Sequence, residues 1–160
     1  MVIEVFADGL DRAHVNTENR RIACRAVVMR NESEILGEYH PGRDVFNLPG
    51  GGLEPDETSE ACVVREVLEE TGVSVRVLFP TVTVIEYFPE GTFESRFFRC
   101  EETGLPPVPP ARTEEEIRNR MENRWYGLYE FLEILETYES TDPFGPNVHQ
   151  RELIGLLNSI

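Results

Sequence analysis

The chain has 160 residues, and 30 acidic side chains against 15 basic ones give it a formal net charge of −15. All the basic residues are arginine, which excludes a Walker-type phosphate lysine, a Schiff base and a lysine general base. The acidic surplus argues against a nucleic-acid or anionic-membrane surface, because phosphate groups need clustered cations. An anionic substrate would therefore need a bound metal ion.

The first part of the chain alternates strand-like segments with turns. A β-rich run at 20–30 and a partner at 35–39 are separated by a polar turn. A short strand at 45–48 follows and is stopped by Pro49 and a glycine run at 50–52. We expect that no regular element tolerates this glycine run.

The rest of the chain mixes helices with strands. Periodicity and turn residues predict a helix at 58–71, with Gly72 as its left-handed cap, followed by strands at 73–77, 82–88 and 92–100. A Pro-rich surface loop is predicted at about 103–112. After it we expect a short helix from 113, a strand at 125–128, and helices at 129–138 and 147–159. This interleaving indicates one α/β domain on a mixed sheet, residues 1–160.

Cysteine usage and the absence of targeting signals bear on the compartment. Cys24, Cys62 and Cys100 are odd in number and lack zinc-ligand spacing, so we expect reduced thiols in the core. The N-terminus does not resemble a signal peptide, and no apolar run reaches 18 residues. We therefore expect a cytoplasmic protein that acts on a small molecule, with neither a nucleic acid nor a membrane as partner.

The helix at 58–71 separates apolar from acidic residues. At about 100° per residue, one arc is apolar and the opposite arc carries three carboxylates. The apolar arc consists of Ala61, Val64, Leu68 and Thr71, and the acidic arc of Glu66, Glu69 and Glu70. We expect the apolar arc to pack on the core and the glutamates to lie on the other side, where an ordinary solvated face is the alternative.

The acidic arc is locally unfavourable. Glu66 forms like-charge pairs with Glu69 and Glu70, each costing about 0.2–0.5 kcal/mol. Glu69 and Glu70 also occupy the last turn, where the helix dipole disfavours anions. A divalent cation bound to the glutamates would make these unfavourable charge interactions favourable. Ligands that are all oxygen atoms suit Mg²⁺ first and Mn²⁺ second. The three glutamates are therefore candidate metal ligands.

The glycine run before the helix is a second candidate element. Without a Cβ, its backbone can turn a carbonyl toward a metal ion and can let a phosphate approach the main chain at Gly51. Arg65 stands just before the glutamates. It is either a surface partner of Glu69 or a buried brace for the loop through Glu57.

Three side chains are weaker candidates for substrate contacts. Arg43 and Arg96 could hold outer phosphates through their planar guanidinium forks. Phe46 could stack on a base. The alternatives are surface arginines and a core aromatic.

The segment 51–73 resembles a known motif. Gly51 is followed after five residues by Glu57, after seven more by Arg65-Glu66-Val67, and then by Glu69-Glu70 and Gly72-Val73. This spacing matches the Nudix box at every position, and the order of strands and helices around it is similar to that of a Nudix domain.

The resemblance implies a fold, an activity and a set of site residues. It implies an α/β/α sandwich that hydrolyses nucleoside diphosphates linked to another moiety, with Mg²⁺ or Mn²⁺. The implied metal ligands are Glu66, Glu69, Glu70 and the Gly50 carbonyl, and the implied structural brace is Arg65, Glu57 and Gly72. Relatives of this kind often form homodimers.

The general base and the exact function stay open at this point. Glu69 or Glu66 is the preferred base, with Arg65 beside them among the catalytic candidates. Later carboxylates are alternatives, namely Glu94, Glu114 to Glu116 and Glu122. A catalytically silent nucleotide-binding regulatory module and an mRNA decapping enzyme are alternative functions, and the charge of −15 disfavours the second.

Overall fold

Strands and helices make up most of the computed structural model, which describes residues 1–160. The eight strands are β1 Val2–Phe6, β2 Arg20–Arg30, β3 Glu34–His40, β4 Val45–Asn47, β5 Gly50–Gly52, β6 Val75–Phe88, β7 Gly91–Glu102 and β8 Glu122–Gly127. The four α-helices are α1 Ser59–Thr71, α2 Glu114–Arg118, α3 Leu128–Thr137 and α4 Gly145–Leu157. The strands follow the path β1-β6-β7-β2-β3-β4, with β5 paired to β2 and β8 paired to β3.

Strand β2 lies inside the sheet and supplies residues to both of its faces. It runs parallel to β7 and antiparallel to β3 and β5. Because successive side chains of a strand point to opposite faces, Val27 and Met29 enter one core while Ala26 and Val28 enter the other.

Helices cover both of these cores. Val63 and Val67 of α1 pack on the face that holds Ala26. Phe131 of α3 and Leu156 of α4 pack on the opposite face. The predicted α/β/α sandwich on a mixed sheet is confirmed.

The glycine run forms strand β5, so the expectation that it interrupts regular structure is wrong. Gly50 and Gly51 pair with Arg25 and Cys24 of β2. The backbones approach so closely that a Cβ on Gly50 would overlap the Cys24 carbonyl oxygen. Glycine is needed here because it lets the two strands come together.

Two further strands differ from their predicted form. Strand β1 was not predicted, and it pairs in parallel with β6. Strand β6 is continuous where two strands were predicted, because its pairing with β7 persists through two register shifts, between Val77 and Phe79 and between Pro80 and Thr83.

Helix α1 has the predicted bounds but packs with a different face. Its buried residues are Cys62, Val63, Val67, Glu70 and Thr71. Leu68, which we expected in the core, is 39% exposed. Glu70 lies within the buried arc and Glu66 is half-buried beside it. The prediction that α1 has an apolar face on the core and an acidic face on the opposite side is therefore wrong. Two of its glutamates turn toward β5 and β3 rather than toward solvent.

The remaining expectations concern the loop and the cysteines. Residues 103–113 between β7 and α2 have no regular secondary structure and are mostly exposed. Cys24, Cys62 and Cys100 are free and buried, as expected. None of the helices combines the length and the apolar character that crossing a membrane requires.

Candidate metal and substrate site

A cleft of about 520 Å³ lies beside strand β5 and helix α1. Gly50 and Gly51 of the strand line it together with Glu66 and Glu70 of the helix. Of the four predicted metal ligands, Glu69 alone does not line this cleft. The fold therefore brings the glycine run and two of the three glutamates to one surface.

Both ends of helix α1 are capped, which sets the positions of its glutamates. The Thr58 hydroxyl accepts a hydrogen bond from the Ala61 N–H at 3.1 Å. At the other end Gly72 has φ 75°, and its N–H donates to the Leu68 carbonyl. A Cβ on Gly72 would overlap the Val108 carbonyl oxygen, so this cap requires glycine.

Arg65 connects the loop before α1 with the glutamates. Its Nε and Nη2 donate to the Glu57 carboxylate at 2.7 and 3.0 Å, and Nη2 also donates to the Gly52 carbonyl at 3.2 Å. Its Nη1 donates to Glu66 at 2.9 Å and to Glu69 at 3.2 Å. Hydrogen bonding to Arg65 lowers the pKa of Glu57 to about 2. The sequence left two alternatives for Arg65, a partner of Glu69 or a brace through Glu57. In the structure Arg65 makes both contacts.

Glu66 lies directly against Gly51. A Cβ on Gly51 would stand 2.5 Å from Cδ of Glu66, so the carboxylate occupies the space that the glycine leaves. Burial raises the pKa of Glu66, and the nearby charge of Glu69 adds to this shift while Arg65 opposes it. Glu69 itself is more exposed than Glu66.

Glu70 is the most buried of the three glutamates, with 6% exposure. Its Oε2 accepts a hydrogen bond from the Gly50 N–H at 3.2 Å. Burial raises its pKa well above the ordinary value, and the facing carboxyl of Glu38 on β3 raises it further. Sequence analysis missed Glu38. The available signal was a single carboxylate inside an otherwise apolar strand segment.

The loop after β7 closes the C-terminal end of helix α1. The Ala111 N–H donates to the Glu69 carbonyl at 2.7 Å, and Arg112 Nε donates to the Glu70 carbonyl at 3.2 Å. These bonds satisfy carbonyls that a helix end leaves open, and Arg112 brings positive charge to the negative end of the helix dipole. Nothing local in the sequence connects Arg112 with α1.

The three weaker substrate candidates have different positions. Arg43 lines the cleft, with Nε 3.5 Å from the Asp142 carboxylate. Phe46 does not line it, because strand alternation turns its ring onto Tyr39 at 4.3 Å between centroids. Arg96 does not line it either, and its guanidinium group donates to Glu94 at 2.7 Å and to the Ser59 hydroxyl at 2.8 Å. The structure therefore brings only Arg43 of these three to the cleft.

Two half-buried arginines on the cleft wall were not predicted. Arg25 and Arg151 both line the cleft. Arg151 lies 2.6 Å from Glu152 and 3.6 Å from Glu86, and Arg25 lies 3.7 Å from Glu152. The wall therefore offers guanidinium groups that phosphates could meet, held in place by carboxylates.

The donor set has the chemistry that a hard divalent cation requires. No three His, Cys, Asp or Glu side chains form a ready-made metal shell. Arg65 holds Glu66 and Glu69, and the Gly50 N–H holds Glu70. Both carboxyl oxygens of Glu38 are buried without a hydrogen-bond partner. Buried carboxylate oxygens without a partner are favourable positions for a cation, so the residues fit Mg²⁺ or Mn²⁺.

Comparison with protein families gives one match over most of the chain. The model of the NUDIX domain matches residues 19–148. This range includes the glycine strand, helix α1 and the strands that line the cleft.

Individual relatives match shorter segments. A MutT-like protein from Streptomyces ambofaciens is 35% identical over 52% of this chain and 53% of its own length. The NAD-capped RNA hydrolase NudC of Vibrio parahaemolyticus is 42% identical over 59% of this chain and 44% of its own length. The chain thus spans about half the length of these curated relatives.

A solved structure extends the comparison to the fold. The crystal structure of an ADP-ribose pyrophosphatase from Streptococcus suis has a TM-score of 0.54 and 19% identity to this chain. The match covers 86% of this chain and 89% of that one. At this identity the likeness shows a shared fold.

Proposed function

Because the chain belongs to the NUDIX domain family, we propose that it is a divalent-metal-dependent hydrolase of small nucleoside diphosphate derivatives. The reaction is attack of water on a phosphorus atom of the diphosphate linkage. The observation that supports this most directly is the meeting of Gly50, Gly51, Glu66 and Glu70 on one cleft.

Four groups of this chain would hold the metal ion. They are the carboxylates of Glu66, Glu69 and Glu70 and the carbonyl of Gly50. When bound, Mg²⁺ or Mn²⁺ would screen the phosphate charges and lower the pKa of a water molecule. Arg65 would have to share Glu66 and Glu69 with the ion, because it bonds to both.

Glu66 is the better supported of the two preferred bases. It lines the cleft, whereas Glu69 lies outside it, and both are bonded to Arg65. Three of the later carboxylates also line the cleft, namely Glu94, Glu115 and Glu116. Glu94 is paired with Arg96, Glu116 accepts a hydrogen bond from the Thr113 N–H at 3.1 Å, and Glu115 is exposed. We therefore assign the role of proton acceptor to Glu66.

The chain's cations and glycines would position the substrate. Gly51 would let a phosphate approach the main chain, while Arg43 would meet an outer phosphate at the cleft. Arg25 and Arg151 would offset phosphate charge from the buried part of the wall. The substrate class includes ADP-ribose, in line with the name of the Streptococcus suis pyrophosphatase, and compounds similar to nucleoside triphosphates.

A substrate panel tests this proposal. Wild type, Glu70→Gln and Glu130→Gln are incubated with Mg²⁺ and each nucleotide, and the product masses are read. We expect wild type to cleave at least one compound, Glu70→Gln to lose at least about 100-fold in rate, and Glu130→Gln to stay within about twofold. Glu130 is an exposed residue of α3 that is paired with Arg124, so it controls for loss of one carboxylate elsewhere.

Two results would overturn the proposal. Cleavage by Glu70→Gln at the wild-type rate would remove the assigned site. Nucleotide binding without any product would favour the silent regulatory module instead. A homodimer and a cytoplasmic location stay predictions from the sequence.

A further inference from the structure

Glu38 is a buried carboxylate to which no N–H or hydroxyl group of the protein donates a hydrogen bond. It lies in the middle of strand β3 and is 1% exposed. Neither carboxyl oxygen has a hydrogen-bond partner. An isolated buried carboxylate is costly, so its presence calls for a compensating group.

The cationic groups of this wall do not form a hydrogen bond with Glu38. His40 Nε2 lies 3.7 Å from Glu38, beyond hydrogen-bond distance, and is 2.8 Å from the Asn47 side-chain oxygen. Arg25 donates Nη1 to the Leu48 carbonyl at 3.3 Å, and its carboxylate neighbour is Glu152 at 3.7 Å. The fold therefore leaves the charge of Glu38 without a dedicated counter-charge.

Glu38 faces the carboxylates of helix α1 across the cleft. It lines the same cleft as Glu66 and Glu70, and its nearby carboxyl is one of the causes of the raised pKa of Glu70. Two buried carboxyls side by side repel each other when both are charged. A shared cation would turn this repulsion into attraction for both groups.

We propose that Glu38 is an additional carboxylate ligand of the divalent metal ion, binding from strand β3 opposite the glutamates of helix α1. The inference rests on the proposed function, because it extends the metal site assigned there. It is a property of this chain's own β3 residue, and the motif at 51–73 does not contain it.

Titration with Mn²⁺ alone tests the assignment. Free Mn²⁺ is measured by its electron paramagnetic resonance signal for wild type, Glu38→Gln and Glu86→Gln. We expect Glu38→Gln to weaken Mn²⁺ binding about tenfold or more. Glu86→Gln should stay within about twofold, because Glu86 is an equally buried carboxylate of the same cleft that is paired with Arg151.

The matched variant separates coordination from general charge. Equal weakening by Glu38→Gln and Glu86→Gln would overturn the inference, because loss of one negative charge in the cleft would then explain both. A thermal scan gives a second readout. In EDTA we expect Glu38→Gln to melt above wild type, and on addition of Mn²⁺ its melting temperature should rise less than that of wild type.

Further measurements distinguish failure of the Glu38 assignment from failure of the proposed function. If Glu38→Gln binds Mn²⁺ like wild type while Glu66→Gln does not, the role of Glu38 is wrong and the proposed function stands. If wild type binds no Mn²⁺ and cleaves nothing, both are wrong. If Glu38→Gln does not fold, Mn²⁺ binding is measured on Glu38→Asp instead. At least threefold weaker binding supports the ligand role, and unchanged binding overturns it.

Discussion

Glu70 is buried among groups that disfavour its negative charge. Burial is the largest cause of its raised pKa, followed by the facing Glu38, with a smaller contribution from Glu66. The favourable contacts are the charge of Arg25 and a hydrogen bond from the Gly50 N–H at 3.2 Å. The ionised side chain therefore opposes folding in the metal-free protein.

We expect Glu70→Gln to raise the free energy of unfolding at pH 7.5 by about 1 kcal/mol or more, which is about 2–4 °C in Tm. The folded-state pKa of Glu70 lies above its ordinary value of 4.5. Ionisation therefore destabilises the fold progressively as pH rises from about that value. The gain should vanish below about pH 4, where the wild-type carboxyl is protonated in both states.

Thermal unfolding in EDTA between pH 4 and pH 8 measures this effect. Glu136→Gln serves as the control and should change stability by no more than about 0.5 kcal/mol at any pH, because Glu136 is an exposed residue of α3 whose carboxylate forms no salt bridge. A Glu70→Gln protein that is less stable than wild type at pH 7.5 would contradict this account of the site.

At the scale of elements, strand β5 and helix α1 form the site as a pair. The Arg65 side chain joins them by bonding to the Gly52 carbonyl and to Glu66. Gly51 leaves room for the Glu66 carboxylate, whereas a Cβ on Gly52 would meet no atom within 4 Å. The two neighbouring glycines thus have different roles.

We expect Gly51→Ala to reduce the hydrolysis rate at least tenfold with little loss of stability. The added methyl group would displace the end of a flexible glutamate side chain rather than backbone, so the strain can be relieved by moving Glu66. Gly52→Ala should keep the rate within about twofold. Steady-state kinetics and Tm measured on both variants test this. Equal rates for the two variants would show that the position of Glu66 does not limit the reaction.

At the scale of the whole molecule, the net charge is −15, with twice as many acidic as basic side chains. Many arginines are paired with glutamates, including Arg30 with Glu102 at 3.0 Å and Arg76 with Glu101. Two of these paired arginines, Arg25 and Arg151, belong to the cleft wall. This distribution suits a small anionic substrate bound in the cleft better than a long phosphate backbone.

We expect a 20-nucleotide single-stranded RNA to bind with a Kd above about 100 µM at 150 mM NaCl. This affinity is weaker than that of ordinary non-specific nucleic-acid binding. Fluorescence anisotropy measures this, with a basic RNA-binding protein as the positive control. Low-micromolar binding that falls steeply with added salt would instead favour RNA ends as the substrate.

The sequence by itself determined the local features of the site. Thr58 and Gly72 set the ends of helix α1, because capping depends on residues within one turn. The ion pair of Glu57 with Arg65, one of the two alternatives for Arg65, is also local, because the two residues are eight positions apart. The class of fold followed from the order of strands and helices.

Only the tertiary structure decided which face of α1 is buried and what it meets. Periodicity assigns carboxylates to solvent, but Glu70 turns inward because β5 and β3 pack there. The contact of Glu70 with Glu38 depends on how a strand and a helix distant in sequence are placed side by side. The contact of Arg112 with the end of α1 was not predicted either, because Arg112 and Glu70 are also distant in sequence. Local sequence rules describe neighbours along the chain, whereas this site is formed by neighbours in space.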